Sequence, residues 1–312
     1  MAEESWERRV IEQLATAGVR EQTRARRWGI FFKLLAFALL VVALFAAIGV
    51  LSEVQHACAG KCTAQVEMRG ELDPDGLVSA QNVMAGLQAA FKDKGTQGVV
   101  LRINSPGGSP VQAGEINDEI RRLRAKYSAI PIYAVCEEAC ASGAYYAAVA
   151  ADKIYVDKAT LVGSIGVVID GFGFVGAMDK LGIERRAIAA GDNKTFLDPF
   201  LPMTPQQKEY AQKMIDEIHQ QFIAVVKAGR GERLKEAPEL FSGLVWNGAR
   251  SVELGLADGL GSVDYVAREV IKAEDVVDFT VKENLSERLA RRFGAALGRS
   301  LGAVVARSLP WR

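Results

Sequence analysis

A chain of 312 residues, 49% of them hydrophobic, with 38 basic side chains balanced by 38 acidic ones, has ordinary globular composition and enough apolar content for one large core. A net charge of zero leaves no basic footprint for nucleic acid, so that class of partner is set aside.

Residues 1–27 are a charged, helix-prone segment. The next stretch, 28–52, contains the uncharged run Leu34 to Leu51, extended at its start by Trp28 to Phe32 across Lys33. About 20 apolar residues suffice for a helix to cross a bilayer, so a single transmembrane helix is expected. Arg20, Arg24, Arg26, Arg27 and Lys33 crowd its N-terminal side, which predicts a cytoplasmic N-terminus. A secretory signal would have a shorter apolar core and a nearby small-residue cleavage site, so a retained anchor is the reading. Residues 53–64 then serve as a tether outside the cytoplasm, where disulfides persist.

The four cysteines fall in two pairs, Cys58 with Cys62 and Cys136 with Cys140. The spacing suits zinc poorly, and only His56 is near. Two small buried residues plus a juxtamembrane disulfide or free pair is the expectation.

From Gln65 short β-branched runs alternate with helical stretches, the pattern of an α/β domain with crossover connections, placed at 65–272. Val99–Ile103 reads as a buried strand, Asn104–Pro110 as a turn-rich loop, and Val111–Lys126 as a helix through Val111, Ile116, Ile120 and Leu123. Ile132–Val135 is the next strand. After a short turn come a small-residue helix, Gly143–Ala150, and a strand, Lys153–Val156. Thr204 predicts a helix cap, with Pro205 at the first position and Gln207 closing a capping box. Tyr210, Met214, Ile218 and Phe222 give that helix an apolar face expected to pack on the domain. Residues 273–312 hold a last strand and, over Ser286–Ser308, a basic amphipathic helix suited either to a membrane surface or to its own domain or a neighbouring subunit.

A hydrolase here has few bases to choose from. His56 sits beside the membrane span and His219 on the edge of an amphipathic helix, and neither has the setting of a catalytic base. Ser142 opens a helix after a strand, with the Gly143 amide placed to bind an oxyanion, although serine is also a favoured plain cap. Gly107 and Gly108 lie between a buried strand and a helix, where positive φ would turn their amides toward a ligand, or simply make a tight turn. Lys194 can activate a serine only as a neutral amine, which needs burial, and Phe196, Leu197 and Phe200 are the apolar residues at hand.

Taken together, Ser105-Pro106-Gly107-Gly108, Ser142-Gly143-Ala144-Tyr145, Gly163-Ser164-Ile165-Gly166-Val167, the Gly191–Pro199 lysine segment and Gly255-Leu256-Ala257-Asp258 with Gly261 resemble, in order and separation, the signal peptide peptidase A family. Its relatives include the SohB-type peptidases and, at fold level, Clp protease and the crotonases. The resemblance runs from about Val66 to Ala267 and corresponds to the single-length form. It implies a ClpP/crotonase-like α/β fold and a Ser/Lys dyad of Ser142 and Lys194. It also implies a lysine-orienting Ser164, and Gly107, Gly108 and Gly143 as oxyanion and substrate-holding residues. A bacterial inner-membrane location with the catalytic domain periplasmic and a homo-oligomeric ring or dome with sites completed by neighbours are implied as well. So is cleavage of apolar peptides such as remnant signal peptides, without metal or nucleotide cofactor. The alternatives are a crotonase-like acyl-thioester hydratase, which would need a carboxylate base, and a catalytically silent scaffold that binds membrane proteins.

Overall fold

The computed structural model describes residues 6, 22, 24–44, 57–235 and 237–282, so His56 and the basic segment Ser286–Ser308 lie outside the described residues. The chain divides into two units, His56–Lys282 and the remainder. In the remainder, helix α1 (Arg24–Leu44) has a mean hydropathy of 2.0 and is long and apolar enough to cross a membrane.

The larger unit is built on an eight-stranded sheet. Its strands are β1 (Cys62–Arg69), β2 (Thr96–Ser105), β3 (Ile132–Ala141), β4 (Lys153–Val156), β5 (Leu161–Gly163), β6 (Val245–Asn247), β7 (Gly259–Leu260) and β8 (Val276–Asp278). The order is β6-β5-β3-β2-β1-β8, with β4 also on β3 and carrying β7. All pairings are parallel except β5 with β6. Parallel strands covered on both faces read as continuous apolar runs, and in β2 Val99, Val100, Leu101 and Ile103 are all buried.

Helices α2 (Ala80–Lys92) and α3 (Pro110–Lys126) are the crossovers from β1 to β2 and from β2 to β3. Each starts at a serine whose hydroxyl accepts a backbone N–H, Ser79 from Asn82 and Ser109 from Gln112. Val83, Leu87 and Phe91 of α2 and Ile116, Ile120 and Leu123 of α3 close one core with Val66, Met68, Leu101 and Ile103 of the sheet. Val111, expected on the buried face, is 65% exposed, because Ala113 takes the inward position of that first turn.

Two further elements shape the site. In β3, Cys136 pairs with Ile103 but the next pairing on β2 is Cys140 with Ser105, so two extra residues bulge out of β3 between them. The bulge lets β3 hand over from β4, at Tyr133–Cys136, to β5, at Ala139–Ala141. The long helix α6 (Pro205–Arg230) follows a segment that holds the short helix α5 (Val175–Leu181), and between α4 (Gly143–Ala148) and α6 the fold thereby leaves a groove.

Thr204 and Gln207 form the expected capping box of α6. Only the second half of that helix packs on the core, through Phe222 and Val226, whereas Tyr210 is 63% exposed. The expected packing of the whole apolar face is therefore corrected: the N-terminal half meets the segment before it, where Tyr210 contacts Phe196 edge-on at 5.6 Å.

Cys58 and Cys62 form a disulfide at the start of β1, and Cys136 and Cys140 are free and buried.

Candidate active site

The strand expected over Ile132–Val135 continues through the bulge to Ala141, so a strand rather than a short turn delivers Ser142. At Ser142 the backbone swings to φ 52°, ψ −125°, a conformation rare for a residue with a side chain. It is held there by two long-lever hydrogen bonds. The Ser142 N–H donates to the Gly163 carbonyl at 2.8 Å, and its own carbonyl accepts from Tyr146 N–H at 3.0 Å in α4. The sharp turn lifts the half-buried side chain out of the sheet's alternation. Its hydroxyl makes no capping bond to α4.

The glycine loop wraps over this elbow. Gly107 and Gly108 have φ of +106° and +135°. The Gly107 carbonyl accepts from Leu72 N–H at 2.7 Å, and Ser109 N–H donates to the Leu72 carbonyl at 2.9 Å, tying the loop to the chain after β1. A Cβ on Gly108 would stand 2.4 Å from the Leu72 carbonyl oxygen. Among the described residues no acceptor takes the Gly108 N–H or the Gly143 N–H, the latter being an unpaired first amide of a helix. The two lie together: the Gly108 nitrogen is 3.5 Å from where a Cβ on Gly143 would sit.

Ser142 opens into a cavity of about 440 Å³. Gly108, Ala113 and Gly143 form one side, Ser164 to Val168 without Ile165 a second, and Ile218, Gln221 and Phe222 of α6 a third. No lining residue carries a formal charge. Tyr146 and Phe222 meet with ring centroids 5.2 Å apart. Ser164 therefore shares the cavity with Ser142, at φ 50° and with its N–H on the Leu244 carbonyl at 2.8 Å.

Lys194 is placed elsewhere. It is exposed, in a turn closed by its own N–H on the Gly191 carbonyl at 3.1 Å, and it does not line the Ser142 cavity. The apolar shelter expected from Phe196 and Phe200 is engaged otherwise, with Phe196 on Tyr210 and Phe200 stacked on Phe174 at 5.3 Å. A single copy of the chain thus brings together Ser142, Ser164, Gly107, Gly108 and Gly143, and not Lys194.

Residues 124–277 match the family model described as peptidase family S49. A protein of Methanocaldococcus jannaschii named as a protease is 32% identical over 220 residues, 69% of this chain and 70% of its own length. The chain belongs to peptidase family S49. A signal peptide peptidase by name from Enterococcus faecium is 32% identical over 65% of this chain and 58% of its own length. A Brucella melitensis protein named as a Na(+)/H(+) antiporter is 45% identical over 57% of this chain. This chain spans only 24% of that antiporter's length, so the name describes a protein that lies mostly outside the aligned segment.

In this member of family S49 the cavity also holds residues that the sequence motifs did not single out. Ala113, Tyr146, Gln221 and the Ser242-Gly243 turn line the cavity, and only the apolar spacing of α6 hinted at that wall. His219, taken as a boundary residue, is half-buried and places Nε2 3.0 Å from the Ile165 carbonyl oxygen.

Beneath the elbow of this S49 family member lies a buried polar layer. The Tyr145 hydroxyl donates to the Leu256 carbonyl at 2.8 Å, and burial pushes its pKa well above the tyrosine range. Arg230, 1% exposed, donates Nε–H to the Gly255 carbonyl and Nη1–H to Asp258, both at 2.8 Å. Burial of Asp258 opposes its charge, but the Arg230 hydrogen bond and charge prevail and hold its pKa below the ordinary value. Burial, and then the contact with Cys140, push the Cys136 thiol pKa well up.

Proposed function

We propose that the chain is a membrane-anchored endopeptidase in which Ser142 is the nucleophile and Lys194 the general base. The observation that carries the reading is the strained Ser142 elbow, facing an uncharged cavity beside the unpaired Gly108 and Gly143 amides. Ser142 Oγ attacks the scissile carbonyl carbon as its proton passes to neutral Lys194 Nζ, and the Gly108 and Gly143 N–H groups hold the oxyanion. Collapse expels the amine, which takes the proton from Lys194. Water, giving its proton to the again neutral Lys194 Nζ, then attacks the acyl carbon, and Lys194 returns the proton to Ser142 Oγ as the acyl group leaves. Gly107 keeps the loop close enough for this, and Ser164 orients the lysine amine.

A lysine must lose its charge to act so, and an exposed one keeps it. Lys194 is exposed within one chain, next to a segment with Phe172 and Ile188 at 82% and 101% exposure. Those features support completion of each site by Lys194 of a neighbouring copy, in a ring or dome whose contacts bury the segment.

The uncharged lining supports apolar peptides as substrates, including signal peptides left in the membrane. It equally disfavours an acyl-thioester hydratase, because no carboxylate lines the cavity to act as base. Helix α1, with Arg24, Arg26 and Arg27 at its start, supports a single anchor with the N-terminus cytoplasmic. The Cys58–Cys62 disulfide supports a catalytic domain on the oxidising side.

The test is covalent labelling by a serine-reactive fluorophosphonate, wild type beside Ser142→Ala. Labelling of the wild type alone is expected. Equal labelling of both proteins would remove Ser142 as nucleophile, and no labelling of either would favour a silent scaffold.

A further inference from the structure

At His219 helix α6 hydrogen-bonds to the segment that carries Ser164. That segment, Gly163 to Gly166, is bonded at successive peptides. Its Gly163 carbonyl accepts from Ser142 N–H at 2.8 Å, Ser164 N–H donates to the Leu244 carbonyl at 2.8 Å, and Gly166 N–H donates to the Ser164 carbonyl at 2.9 Å. Gly163 and Ser164 both have positive φ, +107° and +50°, a combination that persists only when surrounding contacts over-determine it. The carbonyl of the fully buried Ile165, between them and Gly166, is met by His219 Nε2 at 3.0 Å. A carbonyl oxygen only accepts, so Nε2 carries the hydrogen, as it does in both the neutral ring of this tautomer and the imidazolium.

The bond links two of the cavity's walls. Ser164, Gly166, Val167 and Val168 stand on one side of it, Ile218, Gln221 and Phe222 on the other, and His219 lies between Ile218 and Gln221 on the same helix. Among the described residues it is the one hydrogen bond from α6 to the Gly163–Gly166 segment. Apolar contact alone is non-directional and would let the helix slide or roll against the segment, whereas a hydrogen bond fixes distance and direction.

We infer that His219 is a positioning residue for peptide cleavage. By donating Nε2–H to the Ile165 carbonyl it sets the place of Ser164 beside Ser142 and the width of the cavity that receives the substrate side chain. This rests on Ser142 as the nucleophile but gives His219 no part in proton transfer.

The test compares wild type, His219→Gln, His219→Leu and Ser142→Ala as full-length protein, using apolar peptide reporters with Ala, Leu or Phe before the scissile bond. A glutamine amide can keep the donor to Ile165 but cannot act as a base. His219→Gln is therefore expected within about 3-fold of wild type in kcat/KM, with an unshifted pH profile, whereas loss of alignment in His219→Leu is expected to cost on the order of 10-fold or more. The Leu-to-Ala and Phe-to-Ala preference ratios should also change in His219→Leu, with its melting temperature near that of wild type. A change of that kind is not produced by lost stability alone. His219→Ala replaces the leucine variant if that one does not fold. Wild-type rates and preferences in folded His219→Leu (or His219→Ala), with Ser142→Ala inactive, would overturn the inference and spare the nucleophile. A folded His219→Gln as inactive as His219→Leu would overturn it in favour of a chemical role for the ring. Activity in Ser142→Ala would overturn the nucleophile reading itself.

Discussion

Gly107 lies so close to Ser142 that a Cβ placed on it would stand 2.7 Å from Ser142 Cβ, and 2.8 Å from both the Ala141 carbonyl oxygen and the Gly143 nitrogen. The glycine loop and the serine elbow are therefore one packed unit, and the loop's amides are as fixed as the elbow. Gly107→Ala should lower kcat/KM by on the order of 100-fold through displacement of the elbow. Overpacking at positive φ should also cost about 1–3 kcal/mol in denaturant unfolding. An alanine variant with wild-type kinetics would show that the contact is not needed for reaction.

Ser142→Ala and Lys194→Ala should each reduce cleavage of an apolar peptide reporter by at least about 10³-fold, the usual scale for losing a nucleophile or its base. Folding should be little changed in either, since Ser142 makes no side-chain cap and Lys194 is exposed. Circular dichroism and size-exclusion profiles alongside the rates check both halves.

Mixing those two inactive variants distinguishes a shared site from a private one. If Ser142 and Lys194 meet across copies, co-assembled oligomers regain partial activity, because some sites pair an intact serine with a neighbour's intact lysine. Mixed oligomers shown by affinity tags to have formed, yet inactive, would place both residues of a site in the same copy.

Asp258 ties three segments together, accepting from Arg230 at 2.8 Å, Ile154 N–H at 2.7 Å and Arg233 at 3.1 Å. Removing one partner of a buried pair strands the other, so Asp258→Ala should cost about 3–5 kcal/mol in chemical denaturation. Because the folded pKa lies below the ordinary 3.8, the carboxylate's stabilisation is complete above that value and is lost as pH falls through the folded pKa. Wild-type stability should therefore decline on acidification below about pH 4, where the unfolded carboxyl takes up its proton first, and Asp258→Asn should flatten that part of the curve.

The Cys58–Cys62 disulfide closes a short loop at the beginning of β1, and that loop packs on the turn before β2, where Cys62 N–H donates to the Gly95 carbonyl at 3.0 Å and a Cβ on Gly95 would meet Cys58 Cβ at 2.5 Å. Its loop is short, so Cys58→Ser should lower stability by only about 2 kcal/mol in the loop-closure account. Activity at 25 °C should persist. A melting curve with and without reductant checks it.

The sequence by itself determined the features that depend on near neighbours. The apolar run of β2, the capping box at Thr204 and Gln207, and the turn glycines at 107 and 108 are each set within a few residues. The ordered motifs likewise pointed to the right family before any contact was seen. Tertiary structure alone decided what depends on bonds across long separations. The bulge that carries β3 on to Ala141 is fixed by pairing with β2 and β5, and the positive φ of Ser142 by the Gly163 carbonyl. His219 looked like a boundary residue because its partner, Ile165, is 54 positions away. Lys194 marks the same division from the other side. Its neighbours in sequence are apolar, but Phe196 and Phe200 satisfy themselves on Tyr210 and Phe174, so the lysine remains in water within a single chain. Local sequence offers apolar surface; which group that surface finally covers is set by whatever packs against it.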